Sequence, residues 1–215
     1  MTKDHKKIIT ISRQMASGGA YIGRLAAKKL GCTYIEREVL HAAALDLGVN
    51  IRDISGQDEK KSGFLESMMK SFAYGAPDAV YLPSRRPVYD EDLFEAERRV
   101  ILQIADSHDA VIVGHAGFSV LRGRPSVFHV FIHAPKEFRV ARLRNFHALS
   151  AEQALAEIDE SDHQRAKYLK TMTDRDWHDA KNYHLCLDSQ ATGFETAANT
   201  IVALADHMKP RIETL

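Results

Sequence analysis

Between a β-branched run and an apolar stretch of helical period lies Ser12-Arg-Gln-Met-Ala-Ser-Gly-Gly19, whose residue types suit the holding of a phosphate. A phosphate needs backbone N–H groups converging on it. Glycine lets the chain come close and take the required dihedral angles, and a helix starting at that point adds the positive end of its dipole. The common fingerprint for this task is G-x-x-x-x-G-K-[ST]. Gly18 falls on its second glycine, but Arg13 stands at the first, Gly19 at the lysine and Ala20 at the hydroxyl residue. The residues that would hold a nucleotide here are Ser12, Arg13, Ala16, Ser17, Gly18, Gly19 and Ala20. Taken alone, the segment is equally a plain turn that joins a strand to a helix.

Such a turn works only between elements that fix it. Ile8–Ile11 reads as a buried strand, and in Ala20–Leu30 the residues Ile22, Leu25, Ala26 and Leu30 recur at helical spacing before the stop at Gly31. Cys32–Ile35 is a second strand and Glu38–Leu47 a second helix. From Asn50 to about Asp92 the glycines and prolines multiply around a possible helix at Phe64–Phe72, which marks an insertion rather than core sheet. Helix Leu93–Ala105, strand Ala110–Val113 and strand Val127–Ile132 follow, then a helix with Pro135 in its first turn. Ser150-Ala-Glu-Gln153 matches a capping box for a helix reaching about Tyr168, and strand Tyr183–Leu187 and helix Phe194–Met208 close the pattern. Strands alternating with helices predict an α/β fold: a parallel sheet with helices on both faces and ligands at the carboxyl ends of the strands.

The 215 residues, 45% of them hydrophobic, suit one domain with an insertion. Lys+Arg and Asp+Glu are equal at 29 each, so no overall field attracts nucleic acid or an anionic membrane. No apolar run approaches the roughly 20 residues of a membrane span, and the start lacks a signal-peptide pattern, so the cytoplasm is expected. Cys32 and Cys186 lie in short apolar runs and are expected as reduced core thiols. The eleven histidines are scattered without an H-x-x-x-H pair, which argues against a metal site.

The string ITISRQMASGGAYIGRLAAKKLG resembles the opening of the cytidylate-kinase-like family, where I-S-R and S-G-G precede a helix and a second strand. VIVGHAGFSVL is similar to that family's V-I-V-G-R segment, and VFIHAPKEFRVARL to its strand and arginine-bearing helix. The stretch from Asp159 to Ser189 resembles its D-x-x-R-A-x-Y, D-W and N-Y-x-L-C-x-x-S ending. The resemblance runs from about Ile8 to Leu204 and is weakest between Asn50 and Asp92. It implies a P-loop kinase fold in a single domain over 1–215: a core of 1–48 and 93–215, an acceptor-binding insertion at about 49–92 and a helical lid at about 146–178. It also implies ATP and Mg²⁺, the metal held mainly by phosphates and water, and small nucleotides as partners. The oligomeric state stays open.

Phosphoryl transfer asks for alignment and charge neutralisation rather than covalent work, so arginines from separate segments are the natural catalysts. The resemblance points to Arg13, Arg142 and Arg165, with Lys167 near the last and Arg139 beside the nucleotide. Arg139 and Arg142 share a helix face, as a wall toward phosphates or as a solvated surface. Glu36, Arg37, Arg85, Arg86 and His115 are the candidates for holding the acceptor. Glu36 could instead serve as a helix N-terminal charge and Arg85-Arg86 as a solvated loop. Trp177 reads first as packing.

Three departures bear on the substrate. Gly19 replaces the phosphate-loop lysine, so Arg13, Arg24 or a lid cation must supply its charge; His115 replaces an arginine; and Glu36-Arg37-Glu38 replaces the D-S-G of true cytidylate kinases. The leading expectation is an ATP-dependent phosphotransferase acting on a nucleoside monophosphate, CMP or dCMP. The alternatives are a nucleotide-binding regulatory protein without kinase activity and a P-loop kinase of another small acceptor.

Overall fold

The computed structural model describes residues 6–36 and 91–207. Five strands, β1 (Ile8–Arg13), β2 (Thr33–Ile35), β3 (Ala110–Val113), β4 (Val127–His133) and β5 (Leu185–Asp188), form one sheet in the order β2-β3-β1-β4-β5. All the pairings are parallel. The helices are α1 (Gly19–Leu30), α2 (Glu91–Ser107), α3 (Gly117–Val120), α4 (Lys136–Phe146), α5 (Ala151–Thr173), α6 (Ser189–Thr192) and α7 (Phe194–His207). This is the α/β, P-loop kinase architecture that the sequence predicts. The predicted helices Glu38–Leu47 and Phe64–Phe72 lie outside the described residues, as does almost all of the predicted insertion.

The period of two along the strands divides the core. Ile9, Ile11, Val111, Val113 and Val130 turn to one face and pack on Ile22 and Ala26 of α1 and Ala197 and Ile201 of α7. Ile8, Ala110 and Ile112 turn to the other, against Val100, Ile101 and Ile104 of α2 and Leu121 beyond α3. Each fully buried isoleucine of these clusters contributes on the order of 1.5–3 kcal/mol by leaving water. At Gly23 a Cβ would lie 3.0 Å from both Ile11 and Val113 side chains, so the missing side chain is what lets α1 settle on β1 and β3.

Most boundaries fall within a residue or two of expectation. The capping box at Ser150 is formed, with Ser150 Oγ accepting from the Gln153 N–H at 3.2 Å and Gln153 Oε1 accepting from the Ser150 N–H at 2.8 Å. Its helix runs past Tyr168 to Thr173, because the stop is Asp174, left-handed at φ 54°. The last strand begins at Leu185 rather than Tyr183, since Tyr183 turns inward and donates its hydroxyl to the Trp177 carbonyl at 2.8 Å. The expectation of two core thiols is corrected: Cys32 is half-buried and Cys186 exposed. β5 is an edge strand with one buried residue, Leu187, and Cys186 is exposed. Burial pushes the Cys32 thiol up to about 11, so it stays protonated. Among the described residues no helix is long and apolar enough to cross a membrane.

A buried imidazole sits in the sheet. His129 on β4 meets the Thr10 hydroxyl through Nδ1 at 2.8 Å, and its ring stacks on His184 at 5.0 Å. Burial, with His184 and Arg122 nearby, pushes it down to about 4. An unfolded histidine titrates near 6.5, so between about pH 6.5 and about pH 4 the unfolded chain takes up a proton that the native one refuses. Stability should fall as pH drops through that window, by about 3 kcal/mol at most from this residue. Urea midpoints at about pH 7 and about pH 4.5 should separate less in His129→Gln than in the wild type; equal separations would show that His129 titrates normally.

Candidate active site

β1 and β3 are neighbours, yet the chain leaves β1 into α1 on one face and β3 into α3 on the other. In a parallel sheet that divergence opens a crevice beyond the carboxyl ends of the strands. The loop Gln14–Gly18 borders it. Ala16 and Gly18 are left-handed, at φ 59° and 80°. A Cβ on Gly18 would lie 2.6 Å from the Phe194 ring, so position 18 is closed to other residues both by its dihedral and by space. α1 has no side-chain cap at Gly18 and no acidic residue in its first turn, so no side chain there neutralises the partial positive charge of its first N–H groups.

The loop is fastened from three sides. The Gln14 N–H donates to the Ile132 carbonyl at 3.0 Å, and its side-chain oxygen accepts from the Ala134 N–H at 3.3 Å. Ser17 Oγ donates to the Gln14 carbonyl at 2.9 Å, and Ser189 Oγ of α6 donates to the Ser17 carbonyl at 2.6 Å. The third fastening comes from α5. Asp162 of α5 accepts through Oδ1 from the Met15 N–H at 2.8 Å and from Arg165 at 3.3 Å, and through Oδ2 from Arg139 at 2.6 Å.

This network separates the arginines by role. Arg139, 4% exposed, donates to the Ala134 carbonyl at 3.0 Å and the Met15 carbonyl at 3.4 Å as well as to Asp162. It was expected beside the nucleotide; it is built into the frame that shapes the loop. Arg165 stays half-buried above the loop, one nitrogen 3.8 Å from the Met15 sulfur. Arg142 stacks over Phe194 at 4.6 Å and over Phe146 at 5.1 Å, and Phe194 is the ring against Gly18. Arg139 and Arg165 thus meet Met15 of the loop, and Arg142 meets the ring beside Gly18.

At the end of β3 the chain turns through three successive left-handed residues, Gly114, His115 and Ala116, at φ 92°, 54° and 55°. Strain of this kind persists only where surroundings enforce it and is concentrated at functional sites. His115 Nδ1 lies 2.7 Å from Glu97 Oε2, both side chains under a tenth exposed, and the Tyr168 hydroxyl donates to the same oxygen at 3.4 Å. His115, expected as an acceptor contact, therefore joins α2, the β3 turn and α5. Glu36 accepts from Arg24 at 3.2 Å and from the Tyr34 hydroxyl at 3.1 Å. Burial, then the Glu36 carboxylate, pushes the Tyr34 phenol well above its ordinary value, so it remains the donor. Trp177, 2% exposed, packs edge-on against Phe131 at 5.5 Å, the packing role expected of it. Arg37, Arg85 and Arg86 lie outside the described residues. Among the described residues no group of three His, Cys, Asp or Glu side chains could hold a metal ion.

Sequence reasoning missed Asp162, Glu97, Ser189 and Phe194 as parts of the site. Both Asp162 and Ser189 carried a signal, opening the D-x-x-R pattern and closing the N-Y-x-L-C-x-x-S ending; what Ser189 holds was not legible, the carbonyl lying 172 residues away.

A model of the family described as cytidylate kinase-like matches residues 8–191. No curated protein matches in sequence. Among solved structures, an uncharacterized protein from Eubacterium ventriosum ATCC 27560 superposes with a TM-score of 0.71 at 19% identity, covering 94% of this chain and 99% of that one. TT1252 from Thermus thermophilus gives 0.52 at 15% identity, covering 95% and 99%. Both likenesses concern the fold.

The two helices that carry the Asp162 junction also carry an exposed ion pair, Lys136–Asp159 at 2.8 Å, which makes an internal control. Asp162→Ala leaves a buried guanidinium and the Met15 N–H without their acceptor and should destabilise by about 3–5 kcal/mol. Asp159→Ala should cost less than about 1 kcal/mol. Urea unfolding of both variants checks the contrast, and equal losses would remove Asp162 from its place as the junction.

Proposed function

The chain belongs to the cytidylate kinase-like family, and from that premise we propose that it transfers the γ-phosphoryl group of ATP to a nucleoside monophosphate, CMP or dCMP. The observation that carries the reading is the convergence at one strained loop: an uncapped helix start at Gly18, Arg165 above Met15, and Arg142 on the ring that faces Gly18. Backbone N–H groups at such a start suit a polyphosphate, and arginines from α4 and α5 suit charge that spreads over the oxygens of a moving phosphoryl group.

In the proposed reaction an acceptor phosphate oxygen forms a bond to the γ-phosphorus while the bond to the β–γ bridging oxygen breaks, and ADP leaves. Arg165 and Arg142 neutralise the developing charge; Arg139 and Asp162 keep the loop in shape and touch no substrate. Mg²⁺ supplies further neutralisation when bound, held by phosphate oxygens and water. Glu36, Arg37, Arg85, Arg86 and His115 are the proposed acceptor-side residues. A second reading, nucleotide binding without transfer, is favoured by one observation, the glycine at the lysine position of the fingerprint.

ATP with Mg²⁺ should raise the melting temperature, because a ligand bound by the folded form alone stabilises it. ADP release with a panel of acceptors including CMP and dCMP then separates the two readings: binding without release with any acceptor supports the second, and no shift with ATP, ADP or GTP defeats both. Arg165→Ala should lower turnover on the order of 10³-fold while ATP affinity, by calorimetric titration, changes much less. Turnover within about twofold of wild type would take Arg165 out of the transfer step.

A further inference from the structure

We infer that Arg13 takes the place of the missing phosphate-loop lysine, the chain having exchanged the G…K of the fingerprint for R…G so that one cation reaches the same spot from the other end of the loop. The inference rests on the phosphotransferase reading above and deepens it.

The loop's own geometry carries the argument. A Cβ built on Gly19 would fall on the Cβ of Arg13, nearer than two unbonded carbons can come, and 3.0 Å from its Cγ. Side chains at 13 and 19 would therefore start in the same space, which takes one of them. The fingerprint fills it with lysine at the later position and keeps glycine at the earlier. Here arginine occupies the earlier position and glycine the later. The two departures from the fingerprint, unrelated when read as sequence, are one exchange when read in space.

The direction taken by the side chain supports the same assignment. A Cβ on Gly114 would collide with Arg13 Nη1 and lie 3.4 Å from Cζ, so the guanidinium rests against the backbone at the end of β3. Arg13 thus runs from the end of β1, over the first residue of α1, into the crevice between β1 and β3. Gly19 and Gly114 are the two positions whose lack of a side chain leaves that path open, and Gly114 is also held at φ 92°, which glycine alone adopts readily. An arginine pointing straight into solvent would need neither clearance.

At that place the guanidinium lies where β- and γ-phosphate oxygens would come to rest against the N-terminus of α1. Its planar fork can bridge two oxygens, whereas a lysine acts as a point charge, so the exchange keeps the cation and adds a preference for a paired acceptor geometry. Arg13 forms no covalent bond in the transfer; it offsets charge on the leaving diphosphate and on the moving group.

The test uses Arg13→Gln, Arg13→Lys, Gly19→Lys and the double exchange Arg13→Gly/Gly19→Lys, with apo circular dichroism and melting to confirm folding. ATP, ADP and AMP are titrated by calorimetry in the presence of Mg²⁺, and ADP formation is followed with the best acceptor. Arg13→Gln keeps the bulk of the stem and loses the charge; its turnover should fall on the order of 10²-fold or more, with ATP affinity reduced and AMP affinity little changed. Arg13→Lys should retain part of both. Gly19→Lys alone, although it repairs the fingerprint on paper, should impair ATP binding or folding, and the double exchange should recover at least about tenfold of what it loses, a tenth of the effect expected of one charge-stabilising donor. A folded Arg13→Gln protein that binds ATP and turns over within about twofold of wild type overturns the inference, as does a Gly19→Lys protein as active as wild type. If the wild type binds no nucleotide, the phosphotransferase reading falls and this inference with it. If it binds ATP but transfers to no acceptor, the comparison of ATP with AMP affinity in Arg13→Gln decides the point by itself.

Discussion

One carboxylate on α5, Asp162, ties the loop after β1 to the two helices beside it. Asp162 collects the Met15 N–H, Arg139 and Arg165, and in doing so binds the loop after β1, the helix after β4 and the long helix α5 to one point. Its partner Arg139 is buried and also donates to the Ala134 and Met15 carbonyls. A buried pair of this kind gives little stability over a well-packed apolar replacement, but it fixes one geometry, because losing either partner strands the other's charge. The left-handed turns at Ala16 and Gly18 persist within that fixed frame.

From this junction outward, the architecture sorts cations by burial. Arg139 lies deepest and shapes backbone. Arg165 and Arg142 lie above it, half-buried: Arg165 beside the Met15 sulfur and paired with Asp162 at 3.3 Å, Arg142 over the Phe194 ring. Charge held in such partly dry places acts on phosphate oxygens far more strongly than it would in open water. The crevice beyond β1 and β3 arises because the two strands send their helices to opposite faces of the sheet.

Much of the fold could be read from residue patterns. Ile8–Ile11, Ala110–Val113 and the helical spacing of Ile22, Ala26 and Leu30 are strong periodic signals, and the capping box at Ser150 is a local hydrogen-bond exchange that nearby residues can form unaided. The boundaries that moved, such as the end of α5 and the start of β5, are those where a tertiary partner outweighs propensity: Tyr183 leaves the strand's line to pack under Trp177 and Phe131. Cys186 was misjudged for a related reason. An apolar run says that a strand is present, but its place at the sheet edge, which leaves one side open, depends on the order of all five strands.

The sequence by itself determined the strand–loop–helix at Ser12–Gly19, the alternation of β and α, the arginine-bearing helix after Ile132 and the D-x-x-R of the lid, since each is a matter of residue type at short spacing. Only the tertiary structure decided that Arg139 is part of the loop's frame, that His115 pairs with Glu97, that Ser189 holds Ser17, and that a side chain at position 19 would collide with that of Arg13. The physical reason is the range of the forces involved. Backbone propensity and amphipathic period act over a few neighbouring residues, whereas burial of a charge and collision of two side chains depend on segments brought together by the sheet, whatever their separation along the chain.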